Sequence, residues 1–205
     1  MLATMPLGQL VKWPYVTDGV RLLVYSVNNL LNSFCIDDPQ FAQWVNPLIA
    51  RLIPILLHPK APRSLHENAA VSIGRIGLMH PGMVAPHLPE FAQSWCQALH
   101  EIRDNDEKDS AYRGFCTLVQ VNPAGMAKVC CRNGVYFLIR LTTVLQSLLW
   151  FCNAIVRWNQ PSPELNNMFQ TLLQGFKQSN EAEWAAQICS FPPVIQQRLA
   201  TRYGV

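Results

Sequence analysis

The sequence predicts an all-α protein in which antiparallel helix pairs stack side by side. Apolar residues recur at helical spacing from residue 41 onward, and no stretch of useful length alternates apolar and polar residues as a half-buried strand does. The pattern also repeats, because the stretch that begins at Ala69 matches the stretch that begins at Ala111, at an offset of 42 residues. That period is typical of HEAT-type repeats, so the predicted fold is an α-solenoid of HEAT-type helix pairs.

Composition excludes several classes of protein. Half of the 205 residues are hydrophobic and 14% are charged, which is too apolar a chain to be disordered. The formal net charge is only +3 and the sequence has no basic cluster, so it offers no basic surface for a phosphate backbone. We therefore expect no nucleic-acid partner. Seven cysteines without zinc-site spacing indicate free thiols in a reducing compartment, and we expect no metal and no cofactor.

The first predicted helix follows a segment, residues 1–40, that matches the repeat pattern poorly. Within that segment only a weak helix at 19–31 is predicted, because asparagines interrupt its apolar face. Residues 41–57 then place apolar side chains at helical spacing. The stripe that we expect to face the core consists of Trp44, Leu48, Leu52 and Ile55.

The second predicted helix spans residues 64–79. Pro59 and Pro62 separate it from the first helix, since each proline removes a backbone donor and disfavours helical geometry in the residue before it. Ser64 and Glu67 stand three residues apart, as in a capping box, and therefore predict the helix start.

A second helix pair and further helices complete the prediction. The second pair covers 84–102 and 110–121, so residues 41–128 are interpreted as two HEAT-type repeats. Residues 147–205 are interpreted as C-terminal helical repeats. Side chains expected in the core of the second pair are Leu88, Phe91 and Trp95. The later helices are predicted at 147–158, 163–177, 181–189 and 193–203.

The acidic block between the helices of the second pair is the densest charge feature of the chain. It contains Asp104, Asp106, Glu107 and Asp109. One interpretation is a solvated turn that caps a helix start, where acidic groups are favoured. The other is an acidic surface for a basic peptide, and the two are compatible. Asp109 also stands four residues before Arg113, a spacing that predicts an ion pair.

No catalytic arrangement of residues is recognisable in the sequence. The five histidines lack the spacing of a metalloprotease site, and the scattered glycines do not follow a strand as a phosphate loop would. Cys96 and His100 could share a helix face, but two ligands do not make a structural zinc site. We therefore predict that the protein is not an enzyme.

Three groups of residues resemble the transportins, also called karyopherin-β2 proteins, of the importin-β family. They are residues 67–77 (ENAAVSIGRIG), 102–114 (IRDNDEKDSAYRG) and 121–125 (VNPAG). The resemblance extends over about 44–128 and 147–205. It implies the C-terminal HEAT repeats of a superhelical nuclear import receptor found in cytoplasm and nucleus.

The resemblance also implies partners. Receptors of this family bind proline-tyrosine nuclear localisation signals on the concave face of their C-terminal arch. They bind the GTPase Ran through an N-terminal arch, which would lie upstream of this chain, so the chain is expected to be a C-terminal fragment. Asn68 and Val71 match family positions that touch the hydrophobic part of the signal. With the four acids, Asp104, Asp106, Glu107 and Asp109, they form the predicted cargo-binding set.

The 18 residues at 129–146 are not covered by the resemblance. Removing them restores the spacing that the family shows between the flanking helices. The codons of the valine and glutamine at the two ends of the segment could also contain splice signals. A translated intron is therefore one hypothesis. A genuine inserted helix is the other, since repeat proteins accept insertions between helices. We expect 135–146 either to extend the following helix or to protrude as an apolar element.

Two alternatives to cargo binding stay open. The repeats could be purely structural and cap the solenoid. Alternatively, residues 135–156 are long enough to cross a bilayer, which would make the chain a small membrane-anchored protein. Arg140, Gln146 and Asn153 oppose a membrane helix, because charged and amide groups are costly in hydrocarbon.

Overall fold

The computed structural model describes residues 39–127 and 138–205, with side chains over 41–126 and 147–205. The predicted helix at 19–31 lies outside the described residues. Throughout the described part the regular secondary structure is helical. The helices in chain order are α1 (Pro39–Leu56), α2 (Arg63–Met79), α3 (Pro81–Val84), α4 (Leu88–Leu99), α5 (Asp106–Val121), α6 (Ala124–Ala127), α7 (Leu138–Arg157), α8 (Pro163–Ser179), α9 (Glu181–Cys189) and α10 (Pro193–Tyr203).

The long helices form two layers. Helices α1, α4 and α7 lie side by side in one layer, and α2, α5 and α8 lie side by side in the other. The chain returns through α9, which packs on α8, and ends on α10, which packs on α7. Each long helix thus contacts its counterpart in the neighbouring pair, so the predicted all-α solenoid of HEAT-type pairs is confirmed.

Aromatic rings connect the successive helix pairs through the core. Trp95 of α4 stacks on Phe115 of α5 with ring centroids 4.1 Å apart. Tyr112 of α5 meets the edge of Trp158 at the end of α7 at 5.0 Å. Phe169 of α8 in turn contacts Tyr112 at 6.1 Å. Since these rings are buried, the second and third pairs share one continuous core.

The expected core residues of the second pair are confirmed, but one of the first pair is wrong. Leu88, Phe91 and Trp95 are all 0% exposed. Trp44, by contrast, is 50% exposed. Helix α1 is apolar around much of its circumference, so two adjacent stripes of apolar residues show the same helical spacing. Which of the two stripes is buried depends on the helices that pack against α1. The covered stripe consists of Val45, Ile49, Leu52 and Leu56.

Helices α2 and α5 cross with their backbones in contact. A Cβ atom on Gly74 would lie 2.5 Å from the carbonyl oxygen of Ala111, and one on Gly114 would overlap the carbonyl oxygen of Gly74. No side chain other than hydrogen fits at either position. The glycines that looked scattered in the sequence therefore bring two consecutive helices of the same layer together.

Two predicted helix starts are corrected by the structure. Helix α2 begins at Arg63 after Pro62, and no side chain caps it. Ser64 is therefore not the cap, and Glu67 instead pairs with Arg63 at 2.7 Å. Helix α5 begins at Asp106 rather than at residue 110, because Asn105 caps it.

The predicted helix at 84–102 is divided. A short helix, α3, and a 3-10 turn at Ala85–His87 precede α4, which runs from Leu88 to Leu99. Pro86 and Pro89 are the second residues of the turn and of α4 respectively, in the first turn, where a backbone donor has no partner within the helix and its loss costs little. The two prolines favour fresh helix starts over one continuous helix.

Helix α7 begins at Leu138, nine residues before the predicted start. The backbone of 138–146 therefore extends the following helix, which is the first of the two arrangements expected for this segment. Whether residues 129–146 are an insertion stays a prediction. In the parts of the chain that the structure describes, no helix has the length and apolarity needed to cross a bilayer.

Candidate functional site

Asn68 and Val71 lie one turn apart on α2. The side chain of Val71 is 2% exposed and packs in the core, whereas Asn68 is half-buried. The Asn68 backbone oxygen accepts a hydrogen bond from Ser72 Oγ at 2.9 Å, inside the helix. The Ser72 bond engages the backbone of Asn68, while Val71 supports the helix from within.

The acidic block forms the start of α5 instead of a free turn. The side chain of Asn105 accepts a hydrogen bond from the backbone N–H of Lys108 at 2.8 Å and so caps the helix. Asp106, Glu107 and Asp109 fall in the first turn. Their negative charges there stabilise the helix, because its N-terminus carries a partial positive charge. The acids therefore lie at a helix start, as the capping interpretation expected, but inside the first turn and not in a solvated turn, and Asn105 is the capping residue.

Asp104 is engaged by a buried lysine. Its carboxylate accepts a hydrogen bond from Lys108 Nζ at 2.8 Å, and the Lys108 side chain is 3% exposed. Lys108 also donates to the Ile102 carbonyl at 3.0 Å and lies 4.4 Å from the ring centroid of Trp158. The second carboxylate oxygen of Asp104 accepts from the backbone N–H of Asn159 at 3.1 Å. Asp104 therefore links α5 to the end of α7.

Asp109 is engaged in a similar way. Its carboxylate pairs with Arg113 at 2.6 Å, which confirms the ion pair predicted from their spacing. Its other oxygen accepts from the backbone N–H of Ser162 at 3.4 Å, in the loop before α8. Arg113 continues to Glu164 of α8, with Nη1 and Oε2 2.5 Å apart. Asp109 and Arg113 thus connect the second helix pair to the third.

The four acids of the block therefore divide into two pairs. Asp104 and Asp109 are neutralised by the adjacent Lys108 and Arg113, and both bind the α7–α8 loop. Asp106 and Glu107 are exposed. The negative charge that Lys108 and Arg113 do not offset therefore lies on these two side chains, and that of Glu107 acts on Arg75 of α2. Sequence reasoning missed the role of Lys108, although its spacing of four from Asp104 was a readable signal.

Arg75 connects the α2 and α5 parts of the site. Burial lowers the pKa of the Arg75 guanidinium, and the negative charge of Glu107 partly opposes that effect. Electrostatic interaction between these groups places Glu107 of α5 near the helix that carries Asn68. Asn68 and Arg75, both half-buried on α2, and the exposed Asp106 and Glu107 at the start of α5 thus lie on two helices that pack side by side.

Comparison with characterised proteins gives one consistent group of relatives. The chain is 38% identical over 163 residues to Transportin-1 of Mus musculus and of Homo sapiens, covering 79% of this chain. It is 35% identical over 165 residues to Importin subunit beta-2 of Schizosaccharomyces pombe, covering 80% of this chain. The chain is homologous to the transportins. It spans 16% of the length of these relatives. No protein-family model matches it.

Three of the four cysteines that the structure describes in this transportin homologue lie in the core. Cys96, Cys116 and Cys152 are 0% exposed, and burial raises the pKa of each thiol above its ordinary value. A protonated, enclosed thiol is a poor nucleophile and a poor metal ligand. His100 packs against the Trp150 ring at 4.6 Å. Among the described residues, no three His, Cys, Asp or Glu side chains converge as metal ligands would.

Proposed function

We propose that this chain forms the cargo-binding HEAT repeats of a transportin-like nuclear import receptor. It binds nuclear localisation signal peptides without catalysing a reaction. Homology to the transportins supports the class of protein. The main support for the binding site is the division of the acidic block. Asp106 and Glu107 are exposed, whereas Asp104 and Asp109 form ion pairs with Lys108 and Arg113.

The recognition chemistry follows from the face that joins α2 and α5. Carboxylates of Asp106 and Glu107 attract the basic residues of a signal peptide, and the Asn68 amide can hydrogen-bond a peptide backbone. Because both carboxylates are exposed to water, the attraction is screened by salt. Binding is therefore weak and salt-sensitive. Ran binding is assigned to other repeats of the receptor, and a receptor of this kind is present in cytoplasm and nucleus.

The test is a titration of a labelled proline-tyrosine signal peptide, followed by fluorescence anisotropy. We expect micromolar or weaker affinity for the unmodified chain. The double variant Asp106→Asn, Glu107→Gln raises the dissociation constant by about tenfold, which corresponds to about 1.4 kcal/mol of lost attraction. The same variant also weakens the dependence on ionic strength.

A matched control removes two acids from an equivalent position elsewhere. Glu181 and Glu183 lie in the first turn of α9, as Asp106 and Glu107 do in the first turn of α5. The variant Glu181→Gln, Glu183→Gln changes the net charge equally and is expected to bind as the unmodified chain does. Two outcomes would contradict the proposed site. One is an equal loss of peptide affinity in both variants, and the other is submicromolar binding that neither variant alters.

A structural role is the second candidate, and one observation favours it. Asp104 and Asp109 bind the loop before α8, so half of the acidic block holds the repeats together. Under this candidate the chain binds no peptide, while Asp104→Asn lowers the melting temperature. The absence of any anisotropy change at millimolar chain concentration selects the structural role over the proposed one.

A further inference from the structure

Two exposed apolar side chains lie on the helices that carry the proposed binding site. The apolar contact that the sequence predicted at Val71 is closed, because this side chain is 2% exposed. By contrast, Leu78 near the end of α2 is 38% exposed, and Val121 at the end of α5 is 53% exposed. In the described layer of α2, α5 and α8, no other large hydrophobic side chain is exposed to this extent. Leu78 and Val121 are therefore the apolar groups that this layer offers to a ligand.

Leu78 and Val121 lie at the same end of two neighbouring helices. Helices α2 and α5 pack side by side, and a Cβ atom on Gly77 would lie 2.7 Å from the Leu118 side chain. Leu78 directly follows Gly77, and Val121 follows Leu118 by about one helical turn. The two exposed side chains thus flank the C-terminal end of the contact between α2 and α5.

The exposed acids lie at the other end of α5. Val121 follows Glu107 by 14 residues, which is about four helical turns, so the two side chains point to nearly the same side of the helix. The rise along these turns is about 21 Å. Asp106 adds a second exposed carboxylate beside Glu107. Helix α5 therefore presents negative charge at its start and an apolar group at its end.

The surface of α5 between these two ends carries small hydroxyl groups that are bonded within the helix. Ser110 Oγ donates to the Glu107 carbonyl at 3.0 Å, and Thr117 Oγ1 donates to the Arg113 carbonyl at 2.9 Å. The guanidinium of Arg113 is paired with Glu164 of α8. An extended peptide that lies along α5 therefore meets no uncompensated charge of this helix between the acids and the apolar end.

We propose that Leu78 and Val121 bind an apolar side chain of the signal peptide whose basic residue pairs with Asp106 and Glu107. This assignment rests on the proposed function and adds the spacing that the ligand must have. An extended chain advances about 3.3 Å per residue, so about 21 Å corresponds to about six residues. The preferred peptide therefore carries its apolar side chain about six residues from its basic residue.

Two peptides of identical composition test the spacing. Each contains a pair of adjacent arginines and one leucine among glycines and serines, with the leucine either about six residues from the nearer arginine or directly beside it. Both are made in both chain directions, and their binding to the full-length chain is measured by fluorescence anisotropy. We expect the widely spaced isomer, in at least one chain direction, to bind about fivefold more tightly, since only its leucine reaches the apolar end of α5.

A double variant shows whether Leu78 and Val121 cause the preference. Leu78→Gln with Val121→Gln is expected to bind both isomers equally, at the affinity of the weaker one, and to keep its response to salt. The retained affinity for the weaker isomer shows that the variant is folded. The matched control is Leu57→Gln with Val194→Gln, which changes a leucine 45% exposed and a valine 60% exposed elsewhere in the chain. This control is expected to keep the full preference.

The outcomes separate the apolar contact from the proposed function. Equal affinity of the two isomers for the unmodified chain overturns the apolar contact, and so does a preference that the variant of Leu78 and Val121 retains. If Asp106→Asn with Glu107→Gln still lowers the affinity of both isomers in those cases, the proposed function stands and only the apolar contact is wrong. An unmodified chain that binds neither isomer overturns both proposals.

Discussion

At the scale of the residue, burial and hydrogen-bond partners decide how much a side chain contributes to stability. Trp44 of the first helix pair and Trp95 of the second show this. Trp95 is 0% exposed, and its indole N–H donates to the Ala70 carbonyl at 2.7 Å. Trp44 is 50% exposed. Both stand at positions of helical apolar periodicity, so only their surroundings distinguish them.

Trp95→Ala is expected to lower the free energy of unfolding by about 3–5 kcal/mol, since it leaves a cavity beside Phe115 and removes the indole hydrogen bond to the Ala70 carbonyl. Trp44→Ala is the matched control and is expected to change that free energy by less than about 1 kcal/mol. Urea unfolding followed by circular dichroism measures both. Equal losses in the two variants contradict the packing described here.

Reactivity of the thiols provides a second prediction at this scale. Cys189 is exposed, whereas Cys96, Cys116 and Cys152 are enclosed, and burial raises their pKa. At pH 8 in the folded chain, an alkylating reagent is expected to modify Cys189 rapidly and to leave the other three unmodified. Peptide mapping by mass spectrometry measures this for the four named cysteines, and all four of them are expected to become modified in urea. Rapid modification of Cys116 in the folded chain would disprove the shared core.

At the scale of the element, helix starts and close approaches depend on small groups. Helix α5 begins at Asp106 because the Asn105 side chain satisfies a backbone donor, and three acids in the first turn favour that start. Helix α2 begins at Arg63 without a side-chain cap, after a proline. Neighbouring helices α2 and α5 then approach to backbone contact because Gly74 and Gly114 lack a side chain.

Gly114→Ala is expected to destabilise the chain by about 1–3 kcal/mol, because its Cβ would overlap the Gly74 carbonyl and force the helices apart. Gly175→Ala is the control, since a Cβ at Gly175 of α8 meets nothing within 4 Å. There the change is expected to stabilise by about 0.5–1 kcal/mol, the usual gain of alanine over glycine in a helix. Thermal unfolding compares them, and a stabilised Gly114→Ala chain would refute the close crossing.

At the scale of the whole molecule, the segment at 129–146 separates the second helix pair from the third. Helix α7 continues from Leu138 to Arg157. Its part from Leu148 onward already packs into the core through Phe151, Cys152 and Ile155, which are at most 1% exposed. The second half of this helix is therefore part of the solenoid core.

Deletion of 129–146 is expected to leave the melting temperature unchanged or raised and to reduce aggregation, because it removes apolar residues at 135–139 that the repeats do not need. Static light scattering and differential scanning calorimetry of the two chains measure this. A deletion chain that melts at a lower temperature or aggregates more shows that the segment is a structural part of the solenoid.

The sequence by itself determined the helical class, the repeat period and most of the core. Leu88, Phe91 and Trp95 follow from periodicity, since a helix with one apolar stripe has one way to face its neighbours. The Asp109–Arg113 pair followed from spacing within a helix. Local interactions of this kind are encoded within a few residues of each other and are readable without a fold.

Contacts between helices that are far apart in the chain were decided by the tertiary structure alone. The covered stripe of α1 depended on which neighbours lie beside it, and Trp44 was therefore misassigned. The division of the acidic block depended on the backbone N–H groups of Asn159 and Ser162, some fifty residues away. Those donors become partners only when the third helix pair packs against the second, because a hydrogen bond requires its two atoms to be brought together in space.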